Sequence, residues 1–292
     1  MSQTPQFLRA EAQALSGALP PLLADAERLA ANVAMGAHGR RRAGSGESFW
    51  QYRHAMPGDN LASIDWRRSA QGDALFIRER EWEASQTVGF WVDPSQAMDY
   101  HSAKHVPKST RAKVLALACA SLLSRAGERV SLLGTAAARP GFGQNKLHQM
   151  AMALSQLSHE SDYGVLPKPH GAKGGHRVFF SDFMGRDEDI FPALHNHAEA
   201  GNDGALVHVL DPSEESFPFD GRIIFESMAG VIDFETKRAK ALRAAYVERL
   251  EERTFKLQSW AHSAGWHYLR HTTNHSPRVA LLWLFNVLGV ER

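Results

Sequence analysis

Apolar and polar positions recur with different periods in three successive parts of the chain. Residues 7–33 are rich in Ala and Leu and read as helical with a break at Pro20-Pro21, so residues 1–35 are predicted to form a helical segment. Residues 36–46 mix arginines with glycines, a composition suited to a loop. Short aromatic and β-branched runs follow at 48–53 and 74–81, with the turn signal Met56-Pro57-Gly58-Asp59 between them. Residues 36–85 are therefore predicted to be a small β-rich subdomain.

From Gln86 onward the pattern changes to strands alternating with helices. Strand signals fall at 87–93, 129–134, 176–182 and 205–211, and helical periodicity at 109–126, 146–158 and 187–200. Such a series implies right-handed crossovers and a mainly parallel sheet with helices on both faces, an α/β domain over residues 86–292. Past Asp211, residues 217–234 read as short strands around Gly221 and Gly230. A long helix is predicted over 236–264 with Leu242, Tyr246, Leu250, Leu257 and Ala261 on one stripe, then a strand at 266–270 and a helix at 276–288.

Charge and cysteine content narrow the function classes. Lys and Arg number 33 against 32 Asp and Glu, so no global field draws the chain to nucleic acid or an anionic membrane. The single cysteine, Cys119, excludes an intramolecular disulfide and a cysteine-built zinc site. No apolar window approaches the roughly 20 residues that span a bilayer, and the first residues lack a signal-peptide pattern, which leads to the expectation of a cytoplasmic protein without a transmembrane segment.

Candidate chemistry gathers at strand ends. Three predicted strands finish in acids, Asp93, Asp182 and Asp211, and ligands of open parallel sheets bind outside those ends. In Val92-Asp93-Pro94-Ser95-Gln96-Ala97-Met98, carboxylate and hydroxyl oxygens stand two residues apart, a ligand set suited to Mg²⁺, and Ser181-Asp182-Phe183 supplies a second carboxylate. The competing reading is that these residues start turns and cap the next segment.

Other motifs are weaker. The pairs His101/His105 and His195/His197 lack the glutamate or the spacing of a zinc site, and Gly171-Ala172-Lys173-Gly174-Gly175 lacks the spacing of a phosphate loop. Arg40-Arg41-Arg42 reads as a solvated basic loop, and Trp50, Tyr52, Trp66 and Trp82 as aromatic residues of a small β core.

Together, the segments around Asp93 and Asp182 resemble the von Willebrand factor A fold and its metal-ion-dependent adhesion site. Upstream, Gly44-Ser45-Gly46-Glu47-Ser48-Phe49, Arg53, Pro57-Gly58-Asp59 and Ile64-Asp65-Trp66 are similar to the signature of the bacterial domain-of-unknown-function family 58, whose members carry an A-like domain behind a β-rich lead. Asp211-Pro212, Phe217-Pro218-Phe219, Glu235 and Tyr246 continue that resemblance.

The resemblance implies a Rossmann-type, von Willebrand factor A-like fold and a metal site made of Asp93, Ser95 and Asp182. That site is degenerate. The adhesion motif has the form Asp-x-Ser-x-Ser, and Ala97 stands where its second serine belongs; the loop threonine has no counterpart, although Asn145 offers an amide oxygen. Mg²⁺ or Mn²⁺ is therefore expected to bind weakly or not at all. The implied function is a non-enzymatic protein-interaction module that accompanies a MoxR-type AAA+ ATPase in assembly or maturation of protein complexes. Arg53, Asp59, Asp65 and Trp66 of the lead are the expected partner-binding residues, unless those charges pair with one another. The alternative is a metal-dependent phosphoester hydrolase using the strand-end carboxylates.

Overall fold

The computed structural model describes residues 42–289 except 45–47, 57–63, 71, 73, 83–85, 103, 158–160, 170–173, 222, 227–232 and 237–238. The expected helical segment over 1–35, Arg40-Arg41 and the Pro57-Gly58-Asp59 turn lie outside the described residues.

The lead is a three-stranded antiparallel sheet. Strands β1 (Arg42–Gly44), β2 (Ser48–His54) and β3 (Phe76–Trp82) adopt the order β1-β3-β2. The expected loop at 36–46 thus gives way at Arg42–Gly44 to a short edge strand, because backbone pairing with Arg80–Trp82 of β3 outweighs the poor strand propensity of its Gly. Between β2 and β3 runs a one-turn helix, α1 (Trp66–Ser69), which local patterning did not predict.

The larger part is built on five parallel strands: β4 (Thr87–Val92), β5 (Arg129–Leu132), β6 (Gly175–Ser181), β7 (Asn202–Leu210) and β10 (His267–Thr272). Their order is β10-β7-β6-β4-β5, so the chain leaves β4 toward one edge and returns on its other side with β6. The β4/β6 boundary is the switch point in strand order, and the crevice outside it is where such sheets place ligands. Helices α2 (Lys108–Arg125), α3 (Gly143–Gln156), α4 (Asp187–Glu199), α6 (Ala239–Ala264) and α7 (Pro277–Gly289) cover the sheet. The helix expected from Thr236 starts at Ala239, since Thr236 pairs in the hairpin of β8 (Ile223–Glu226) and β9 (Asp233–Thr236).

Period-two alternation divides the core. Val88, Phe90 and Val92 join α2, α3 and α7 on one face, while Trp91, Phe179 and Leu206 join α4 and α6 on the other. With both faces covered, these strands read as near-continuous apolar runs rather than alternating ones. Helix α2 packs against both α3 and α7 and is buried over most of its length, including Cys119, whose thiol pKa is pushed up to about 12 by burial. No described helix is long and apolar enough to cross a membrane.

Two sheet histidines are buried as neutral rings. Burial, then the Arg111 guanidinium, lowers His271 to about 4; burial, helped by the Arg270 and Lys108 charges, outweighs the attraction of Asp182 and lowers His208 to about 3. The unfolded rings take protons first, near 6.5, so this contribution to stability is complete above that pH and is lost as pH falls toward the folded values. The melting temperature is expected to be flat above neutrality and to decline below about pH 6.5. Scanning calorimetry across this range checks it, and His271→Gln should flatten the decline.

Candidate functional site

At the end of β4, the Asp93 amide donates to the Phe180 carbonyl at 2.9 Å, which extends the pairing of β4 with β6 to the acid itself. The Asp93 carboxylate turns back inside: Oδ1 accepts the Ser95 amide at 2.9 Å and Oδ2 accepts the Ser181 hydroxyl at 2.5 Å. A short 3₁₀ turn, Gln96–Asp99, follows, and its Gln96 and Ala97 amides donate to the carbonyls of Ser161 and Asp162, each at 3.1 Å. That loop roofs the acid. A Cβ added to Gly164 would lie 2.1 Å from Asp93 Oδ1, so only a glycine fits over the carboxylate.

At the end of β6, Asp182 Oδ1 accepts the Met184 amide at 3.1 Å while Phe183 holds a left-handed backbone with φ 49°. A non-glycine residue in that region costs roughly 1–2 kcal/mol, offset here by the Phe183 amide donating to Ser181 Oγ at 2.8 Å. The other Asp182 oxygen accepts the Lys108 ammonium at 2.8 Å, and the same ammonium donates to Glu214 Oε1 at 2.7 Å. Glu214 belongs to α5 (Pro212–Ser216), a one-turn helix after β7 closed by a reciprocal cap: Asp211 accepts the Ser213 amide, and Glu214 Oε2 accepts the Asp211 amide at 2.7 Å. The ends of β6 and β7 and the first residue of α2 thus meet at one buried charge.

The electrostatics follow from who holds the ammonium. Lys108 is 1% exposed, yet its carboxylate partners outweigh burial and raise its pKa above the ordinary lysine value. Burial would raise Asp182, but the ammonium prevails and holds it below the usual carboxylate range. Glu214 is raised by burial, with the Asp182 charge adding to it, despite the same ammonium. Asp93 has no cation of its own and is raised, first by burial and then by the Asp182 charge.

The expected metal residues Asp93, Ser95 and Asp182 therefore come to one strand-end region, but they do not fit a divalent ion as they stand. Both Asp93 oxygens accept protein donors and Asp182 Oδ2 is taken by an ammonium. No group of three or more His, Cys, Asp or Glu able to hold a metal occurs among the described residues.

Asn145 does not substitute for the missing threonine. Its helix begins at Gly143, whose amide donates to Ser124 near the far end of α2, about 24 Å along the helix from Lys108. The histidine pair of α4 diverges, with the His195 side chain 66% exposed beside Glu199 and His197 buried against Phe179.

In the lead, Asp65 caps α1 by accepting the Arg68 amide at 3.0 Å and also accepts the Tyr52 hydroxyl at 3.3 Å. Trp66 is 60% exposed and Tyr52 39%, which corrects the expectation that both form a small core. Arg53 pairs with Ile77 across β2 and β3, and Asp59 lies outside the described residues.

A family model described as protein of unknown function DUF58 matches residues 51–255. The chain belongs to the DUF58 family. Among solved structures, the crystal structure of conserved hypothetical protein BatB from Bacteroides thetaiotaomicron is similar at 12% identity, covering 70% of the DUF58 chain and 98% of that chain with a TM-score of 0.39. No curated protein matches it.

Sequence reasoning missed Lys108 and Glu214 in this DUF58 protein. A signal existed for each. A lysine in the first turn of a helix faces the positive end of the helix dipole, so Pro107-Lys108 called for an anionic partner. Asp211-Pro212-Ser213-Glu214 is a capping-box pattern, which fixes where a third carboxylate stands.

Gly164→Ala tests the roof over Asp93. The added methyl falls far inside van der Waals contact with the carboxylate, so the melting temperature should fall by the equivalent of roughly 1–3 kcal/mol, whereas Gly127→Ala, where no atom lies within 4 Å, probes only the cost of a positive φ. Equal losses in thermal denaturation would contradict the close approach.

Proposed function

We propose that this DUF58 protein is a non-enzymatic protein-interaction module. Its larger part is read as a von Willebrand factor A-like domain with a degenerate metal-ion-dependent adhesion site. It acts in the cytoplasm as an accessory partner of a MoxR-type AAA+ ATPase, in assembly or maturation of protein complexes. The observation that carries this reading is the commitment of the strand-end carboxylates to internal donors: Asp93 to Ser95 and Ser181, Asp182 and Glu214 to Lys108. A hydrolase needs at least one of those oxygens turned toward substrate or solvent, and Asp93 and Asp182 are each 2% exposed. What remains at this end of the sheet is a surface, with Tyr163 and Val165 of the roofing loop 47% and 73% exposed. The partner class comes from the family resemblance by analogy.

The test is capture of a purified MoxR-type ATPase by the full chain, with ATP and with either Mg²⁺ or EDTA during the wash. Capture that survives chelation in the wash supports docking without a metal on this chain. Failure to capture under any nucleotide condition, together with Mg²⁺-dependent cleavage of a phosphoester, would overturn the proposal in favour of the hydrolase.

Within the lead, exposure separates two roles. Trp66→Ala is expected to weaken capture at an unchanged melting temperature, whereas Asp65→Ala should lower stability by about 1 kcal/mol through loss of its cap. Thermal melts run beside the capture assay distinguish them.

A further inference from the structure

The strand-end site contains a cation already, and it is part of the chain. Lys108 stands at the first residue of α2, where the helix dipole disfavours positive charge, and its side chain is 1% exposed. Burying an ammonium there is tolerable only because two carboxylates from separate elements reach it, Asp182 after β6 at 2.8 Å and Glu214 of α5 at 2.7 Å. Tyr100 lies alongside, its ring centroid 5.8 Å from the ammonium. The hard oxygens around it come from Asp182 and Glu214. This is the donor chemistry that Mg²⁺ and Mn²⁺ prefer, and an ammonium competes for the same oxygens.

We propose that the Lys108 ammonium is the resident cation of this site, and that the side chain keeps divalent ions out by taking the carboxylate oxygens they would need. Two properties follow. The strand-end surface is assembled without metal, so its shape does not respond to divalent-ion concentration. An acidic residue of a docking protein cannot complete the coordination, since the cation is sealed from solvent. The inference concerns the site and not the identity of the partner; its failure leaves the ATPase reading standing, because that reading is tested by capture.

The experiment is a Mn²⁺ titration of the full chain, followed by calorimetry and by the melting temperature. The native protein should take up no Mn²⁺ at the strand ends and melt at the same temperature in Mn²⁺ and in EDTA. Lys108→Ala should melt lower, regain stability as Mn²⁺ is added, and bind Mn²⁺ at least tenfold more tightly than the native chain. Adding Asp182→Asn and Glu214→Gln to it should abolish that binding. Native binding as tight as that of the alanine variant, or a folded alanine variant that binds no better than native, overturns the proposal.

A measurement on the native chain alone covers the case in which the variant does not fold. With ¹⁵N-labelled lysine, the Lys108 ammonium resonance should be protected from exchange and unbroadened by Mn²⁺. A Lys108 signal that exchanges rapidly or is broadened by the ion would refute it.

Discussion

The ion pair that joins Lys108 to Asp182 and Glu214 is the constraint on which the upper end of the domain depends. Lys108 opens α2, Asp182 follows β6 and Glu214 lies within α5, so one ammonium sets the start of α2, the turn after β6 and the position of α5. A buried pair of this kind adds little net stability compared with an apolar packing of the same volume, but removing one member costs about 3–5 kcal/mol because a charge is left alone. Geometry is what such an arrangement secures. The polar residues around it are correspondingly ordered: Tyr100 hydrogen bonds Ser213 at 2.8 Å, and Ser102 donates its amide to Asp211 at 3.0 Å.

The same constraint explains why the acids are closed off from solvent. Asp93 and Asp182 flank the place where strand order reverses, the position an α/β sheet offers to ligands, yet their oxygens are directed into the protein. Asp182 stays ionised because the ammonium is its counter-ion, and Asp93, one strand away, is pushed toward its neutral form by burial and by that same charge. Of these two neighbouring carboxylates, only Asp182 holds the cation.

Much of the fold was legible from periodicity. The five strands of the sheet and the four longer helices between Lys108 and Ala264 fall within a few residues of their expected positions, because long runs with one apolar period leave little choice of element. Besides the short edge strand β1, the elements that escaped, α1 and α5, are single turns that depend on caps by Asp65 and Asp211 rather than on a stripe. The site was half legible: acids at strand ends are visible in a sequence, but the lysine that pairs with Asp182 lies 74 residues away along the chain, and no local pattern joins them. Asn145 failed for the converse reason. Its amide oxygen suited a ligand, but the length of α2 carries it to the other end of the sheet.

Cys119 lies on the helix that Lys108 opens, eleven residues further along, and is fully buried with its thiol held protonated near neutral pH. It is the chain's single cysteine. A thiol reagent therefore cannot react with the closed molecule, and its rate of modification measures how often α2 lifts from the sheet. The protein carries its own opening clock, wound to the helix that the buried ammonium pins.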